Sequence, residues 1–282
     1  MTQVAISIPH LEQEMLAMPQ AEVPVVHRFG PGIYIREVTL RAGTIAIGHA
    51  QKHEHTNLML TGAVAMLKDD GSVQVLRGPL FFVGQPGRKV GYVIEDTVWQ
   101  NIYATDEKDI DKLEEMFLDK SEQWKSDHEA QVNADRLENN WVRNDFLEVI
   151  SYAGFSPEVV RAQSECADDQ IPMPTAFEGV VTIRPSAIEG RGVFASHPFE
   201  AGHVIGPAAL GGKRTPLGRY TNHHPVPNAV MTKDEHGNVW AVAVRRISGC
   251  SGGNQGEEVT IDYRQVLCMH GLWPDKGQGV TQ

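Results

Sequence analysis

The sequence predicts a mainly β chain with an α-helical connector: a small β-barrel or jelly roll at the N-terminal end and a second β-rich domain at the C-terminal end. Three observations carry this. Apolar runs of strand length recur from Val23 to Ala104 with turn chemistry between them. After Asp106 the apolar spacing lengthens to three and four residues. Beyond Phe177 alternation returns, among dense glycine and proline. The expected divisions are 1–105, 106–176 and 177–282.

In the first division the expected strands are 33–35, 44–47, 58–60, 63–67, 73–76, 90–94 and 97–103. Gly30-Pro31-Gly32, Asp69-Asp70-Gly71 and Gln85-Pro86-Gly87 supply turns between them. Several short strands at such spacing imply a small barrel. Ile110, Leu113 and Phe117 then mark a helix face, and 135–163 reads as further helix broken at Gly154 and Pro157. This piece reads as a connector or a lid. Ala167 to Pro174, with its charges and prolines, forms a boundary, and 180–183, 239–244 and 258–261 are the strands expected after it.

The chain has 282 residues and a formal charge of -11, concentrated in the middle: 105–176 carries 7 Lys+Arg against 18 Asp+Glu. That segment repels a phosphate backbone, and neither flank is basic enough to attract one, so nucleic acid is not an expected partner. Cys166, Cys250 and Cys268 are too scattered for a disulfide framework, so a reducing, cytoplasmic setting is expected. No signal-peptide pattern or long apolar run is present, so neither secretion by that route nor membrane insertion is expected.

Three C-terminal segments stand out: Glu189-Gly190-Arg191-Gly192-Val193-Phe194-Ala195, Gly218 to Asn228 with Arg219, Tyr220, Asn222 and His223, and Gly256-Glu257-Glu258-Val259-Thr260-Ile261-Asp262-Tyr263. Singly, each reads as a turn, a polar loop or a strand end. Together and in this order they resemble the SET domain of protein lysine methyltransferases over roughly Phe177 to Arg264. The resemblance implies S-adenosyl-L-methionine as cofactor and a protein substrate bearing a lysine. It also implies Tyr263 as the catalytic residue, and a cofactor site formed by Gly190, Arg191, Gly192, Arg219, Tyr220, Asn222 and His223. The residue types suit the chemistry. Glycines allow close main-chain approach, Asn222 offers donors and an acceptor, and a tyrosine hydroxyl can sit beside a transferring methyl without ionising.

The sequence also departs from that pattern. His224-Pro225 replaces a Ser-Cys pair, only 30 positions separate Gly192 from Asn222, and Ser248 to Gln255 makes a longer Gly-rich loop. That loop is either mobile and close to substrate or a surface insertion. Cys268 stands alone where the family often has a C-x-C tail, and Trp273 either covers the site or simply packs.

Near the N-terminus, Gly48 to His55 followed by Asn57 to Gly62 resembles the first cupin motif, and Pro86-Gly87 with Tyr92 to Tyr103 is similar to the second. Strand alternation places His53 and His55 on one face, as a shared metal ion requires. Leu58, Met59 and Leu60 stand where the family has a glutamate, and no third histidine follows, with Tyr103 the nearest candidate. A metal ion at His53 and His55 is thus one alternative, and a metal-free cupin used for binding, homodimerisation or assembly is the preferred one.

The leading expectation is an S-adenosylmethionine-dependent protein-lysine methyltransferase whose cupin-like domain recruits, dimerises or regulates. Beside it stand a non-catalytic cupin-based assembly protein with a degenerate SET-like domain, and a metal-dependent cupin oxidoreductase or isomerase. The domain pairing resembles accessory proteins of tailed bacteriophages and bacteria more than chromatin enzymes.

Overall fold

The structure is a computed structural model and describes residues 7–68, 70–251 and 254–273. It is mainly β and divides into two compact units, one of residues 1–131 with 249–255, the other of 132–248 with 256–282. No described helix is long and apolar enough to cross a membrane.

The first unit opens with α1 (Ile8–Leu16) and continues through β1 (Val25–Gly30), β2 (Ile33–Leu40), β3 (Ile45–Ile47), β4 (Ala50–Gln51), β5 (His55–Leu67), β6 (Val73–Arg77), β7 (Leu80–Gly84), β8 (Val90–Ala104), α2 (Ile110–Phe117) and β9 (Leu118–Asp119). Its large sheet runs β1-β2-β8-β5-β6, with β3 also on β8 and β7 also on β5. Two pairs of strands expected from the sequence are each one long strand: 58–60 and 63–67 lie in β5, and 90–94 and 97–103 lie in β8. Register shifts between Met59 and Val64 let each long strand change partners along its length. β8 thus pairs with β3 through one half and with β2 through the other. Inside, Tyr34, Tyr103 and Leu113 are buried together, with Phe29 and Phe117 packed against them. Asp109 caps α2 by accepting from the amides of Asp111 and Lys112, which sets Leu113 into that cluster.

The acidic segment 106–176 is not an independent connector. α2 and β9 belong to the first unit, where β9 pairs with β4. The division falls within α3 (Glu122–Glu138), and α4 (Asn140–Tyr152) and α5 (Pro157–Glu165) belong to the second unit. The cause is amphipathicity, because Val142, Phe146, Val149 and Ile150 of α4 are buried there. Gly154, at φ 82°, and Pro157, at the start of α5, separate these helices as expected. The Gly-rich loop is neither free nor a plain insertion. The Gly249 amide donates to Glu22 Oε1 at 2.6 Å, and the Cys250 carbonyl accepts from the Val23 amide at 2.6 Å, both within the first unit.

The second unit continues with a 3₁₀ turn (Thr175–Phe177), β10 (Val181–Pro185), β11 (Arg191–Ala195), β12 (Val204–Leu210), β13 (Lys213–Arg214), α6 (Pro216–Tyr220), β14 (Asn222–His223), β15 (Ala229–Lys233), β16 (Val239–Ala243), β17 (Glu258–Ile261) and α7 (Tyr263–Met269). Its sheets run β10-β11-β17-β14 and β13-β12-β16-β15. β14 and β17 are parallel, with Asn222 opposite Thr260 and His223 opposite Ile261. Val193, Ile205, Leu217, Ala241, Ile247 and Val259 form the centre of the core. Thr215 caps α6 ahead of Pro216, so the helix starts where Leu217 points into that core. Leu217→Ala is expected to cost about 2–5 kcal/mol by leaving a cavity under α6, read as a lower denaturant midpoint at unchanged slope.

Candidate functional site

The second unit holds a cavity of about 680 Å³. Gly190, Arg191, Arg219, Tyr220, Asn222 and Tyr263 all line it, so five cofactor residues and the catalytic residue expected from three separate segments meet at one place. α4 and α5 also contribute to the wall, through Phe146, Ile150, Val160 and Ser164. The site therefore extends well before Phe177.

Local chemistry explains the assembly. Asp262 caps α7, accepting from the Arg264 amide at 3.0 Å, so Tyr263 is the first residue of the helix. First-turn amides have no partner inside their own helix. That of Tyr263 donates to His223 Nδ1 at 3.1 Å. Its hydroxyl donates to the Thr221 carbonyl at 3.0 Å. Burial, and then the nearby Glu258 charge, push the Tyr263 phenol up, so it is present as a hydrogen-bond donor and not as a phenolate.

Asn222 acts as a clamp on the 186–191 loop. Its Nδ2 donates to the carbonyls of Glu189 and Arg191 at 3.0 and 3.2 Å and to Glu258 Oε1 at 2.8 Å. Among the described residues its Oδ1 has no hydrogen-bond partner. Gly190 takes φ 51°, with open space where a side chain would begin. Gly192 differs from its expected role. It lies off the cavity, and a Cβ there would overlap the Glu258 carboxylate, so the glycine is required by packing against a buried acid and not by a cofactor.

The side chains of two expected cofactor residues bond within the protein, His223 off the cavity and Arg219 at its lining. The His223 side chain is buried and turns away from the cavity toward Asp145, with Nε2 at 2.7 Å from Oδ2. Arg219, whose side chain is 2% exposed, donates to the carbonyls of Ser164 and Cys166 and to Asp169 Oδ1 at 2.8, 2.6 and 2.8 Å. It ties the chain after α5 to α6, with Arg214 donating to the other Asp169 oxygen at 2.5 Å. Arg214, and then Arg219, hold the Asp169 carboxyl down at about 2. Arg191 keeps its role at the cavity wall, its guanidinium 5.6 Å from the centre of the Tyr220 ring. Trp273 packs on Tyr152 and Arg264 and does not line the cavity.

Sequence reasoning missed Asp145 and Ser186. It quoted Thr221 and Glu258 inside motifs without giving them a role. Glu258 accepts from Ser186 Oγ at 2.8 and 2.9 Å as well as from Asn222. Desolvation outweighs these bonds and raises its carboxyl to about 7. A second acid in G-E-E was the available signal. Asp145, on a helix read as connector, carried none.

In the first unit the metal pair weighed as an alternative, His53 with His55, does not form. His53 is exposed in a bend before β5, and His55 is buried as the first residue of that strand, so strand alternation does not relate them. The His55 ring stacks on Tyr103 at 5.6 Å, and the Tyr103 hydroxyl donates to Gln51 at 2.7 Å. Glu54 accepts from Gln85 at the surface, and burial lowers His49 to about 4 beside Trp124. The described residues include no group of three or more His, Cys, Asp or Glu placed to hold a metal ion. His53 and His55 do not fit such a site.

No protein-family model matches the chain, and no curated protein matches it significantly. Among solved structures it is similar to a cupin domain from Bordetella pertussis Tohama I, at 10% identity and TM-score 0.26, over 31% of this chain and 98% of that one. It is also similar to a RmlC-like cupin family protein with a double-stranded β-helix fold from Methanocaldococcus jannaschii, at 10% identity and TM-score 0.26, over 31% and 81% of the two chains. A third is ectoine synthase from P. lautus, at 9% identity and TM-score 0.28, over 37% and 83%.

The raised Glu258 carboxyl has a stability consequence. Its folded value, about 7, lies above the ordinary 4.5, so its contribution is full below about pH 4.5 and is lost as pH rises through 7. Urea denaturation at pH 5 and pH 8 is expected to show Glu258→Gln gaining on the parent with rising pH, by on the order of 2–3 kcal/mol. An equal difference at both pH values removes Glu258 as the cause.

Proposed function

We propose that the second unit is an S-adenosylmethionine-dependent methyltransferase acting on a lysine amine of a protein. The observation supporting this reading is the convergence of Gly190, Asn222 and Tyr263, from three distant segments, on one cavity. The volume suits a ligand of that size, since small-molecule sites run to about 300–1,000 Å³. The residues fit the group: Gly190 leaves open space beside the main chain, Asn222 and Arg191 in the lining are polar residues that would take the amino-acid end, and Ile150 and Val160 supply apolar wall. The Arg219 and His223 side chains would support it through the frame, Arg219 also from the cavity lining.

When bound, the cofactor supplies a methyl group on a sulfonium. The protein's task is to orient and dry the incoming amine, which attacks only when unprotonated. The apolar wall disfavours the charged ammonium and so favours that form. The Tyr263 hydroxyl and the Thr221 carbonyl are the paired polar atoms that would orient it, with the phenol keeping its proton.

A second reading, an assembly protein with a degenerate second unit, draws on one feature of the first. Ile45, Tyr92 and Val75 are exposed on strands joined through direct pairings, Ile45 with Tyr92 and Ala65 with both Tyr92 and Val75. They make an apolar row suited to a second copy of the chain.

Calorimetric titration with S-adenosylmethionine and S-adenosylhomocysteine separates the readings. Micromolar binding is expected, weakened at least tenfold in Asn222→Ala, and absence of binding at millimolar concentration favours the assembly protein. On an array of lysine-containing peptides with methyl-labelled cofactor, Tyr263→Phe is expected to lose about 10²-fold or more in transfer while cofactor affinity stays within threefold. Equal labelling by parent and Tyr263→Phe removes Tyr263 from the chemistry.

A further inference from the structure

Helix α4 places a carboxylate against a buried histidine next to Tyr263. Asp145 Oδ2 lies 2.7 Å from His223 Nε2, and the two Asp145 oxygens accept from both terminal nitrogens of Arg264 at 2.6 and 2.8 Å. Burial lowers the His223 pKa, with Asp145 opposing, and the Arg264 guanidinium holds Asp145 down at about 2. The other imidazole nitrogen, Nδ1, faces the Tyr263 amide at 3.1 Å.

The partners fix where the ring proton is. A main-chain amide only donates, so Nδ1 must present its lone pair and the proton must sit on Nε2, toward the carboxylate. The opposite tautomer sets two N–H groups face to face at Tyr263 and a lone pair against the carboxylate at Asp145. An imidazolium also opposes two N–H groups at Tyr263. Asp262, 3.7 Å from Nδ1, is already committed to capping α7 and to Arg264 at 3.3 Å.

We propose that Asp145 is the positioning residue for Tyr263: by holding His223 in the Nε2–H form it keeps Nδ1 as the acceptor that fixes the first amide of α7, and with it the phenol at the cavity wall. The catalytic consequence rests on the methyltransferase reading. The hold on Tyr263 does not.

Isosteric Asp145→Asn separates charge from shape. Its amide oxygen is drawn to the Arg264 cation, which turns the NH₂ toward His223 and moves the ring proton to Nδ1. Arg264→Gln weakens the tie between α4 and α7 but leaves the carboxylate on His223. The full-length protein labelled with ¹⁵N-histidine, with His223→Gln to assign the signal, reports the tautomer by long-range ¹⁵N–¹H correlation. Hydrogen exchange reports the Tyr263 amide.

Parent and Arg264→Gln are expected to show Nε2–H. Asp145→Asn is expected to show Nδ1–H and a Tyr263 amide exchanging at least tenfold faster. On a peptide that the parent labels, Asp145→Asn is expected to lower kcat by about 10–100-fold, with KM and cofactor affinity within threefold. An Nδ1–H signal in the parent overturns the proposal even if Asp145→Asn fails to fold. So does an unchanged tautomer in Asp145→Asn, or unchanged kcat after the proton has moved. A parent that labels nothing, with Asp145→Asn still shifting the proton and the amide, sinks the methyltransferase reading and leaves the hold of Asp145 on Tyr263 standing.

Discussion

The parallel pairing of β14 with β17 is the constraint on which the second unit's site depends. Only Asn222 and His223 take part from β14, yet they set Asn222 opposite Thr260 and His223 opposite Ile261. From that register Asn222 reaches the 186–191 loop, and His223 meets the amide that opens α7. Short parallel strands bring little stability of their own, so the register is fixed by what lies on either side. Asn228 supplies part of this, its Oδ1 accepting from the Thr260 amide at 2.8 Å and its Nδ2 donating to the Glu258 carbonyl at 2.7 Å.

Buried polar groups, more than apolar area, define the geometry around the cavity. An unpaired buried polar atom is costly, so each of these groups fixes its neighbours. Arg219 closes the chain after α5 onto α6, Asp145 ties α4 to α7 and His223, and Glu258 gathers Ser186 and Asn222 beneath Gly192. Such pairs specify an arrangement more than they add net stability. The result is a frame of paired polar side chains around a cavity whose lining includes Asn222 and Tyr263.

The first unit uses its interior differently. Around His55 the interior is aromatic: Tyr103 stacks with His55, Tyr34 and Phe117, and Tyr34 with His27 and Phe29. His27 Nδ1 lies 2.7 Å from the Tyr34 hydroxyl. Stacking supplies packing and directs each polar atom to a neighbour in the protein.

Much was legible in the sequence because it rests on short-range rules. Strand-length apolar runs and turn residues marked the β units, Gly154 and Pro157 marked the break between helices, and three motifs held Gly190, Arg191, Arg219, Tyr220, Asn222 and Tyr263 of the cavity lining. Register and long-range partnership were not legible. Bulges merged pairs of expected strands into β5 and β8, His53 fell outside the strand that alternation assumed, Arg219 found Asp169 as a partner, and the His223 side chain turned from the cavity to Asp145. The sequence alone determined which chemistry-bearing residues exist and which local turns, caps and helix faces they make, since those follow from neighbours a few positions apart. Only the tertiary structure decided that α4 and α5 wall the cavity and that Asp145 serves His223, because the burial of a carboxylate and the partner it must then find depend on segments about eighty residues apart in the chain.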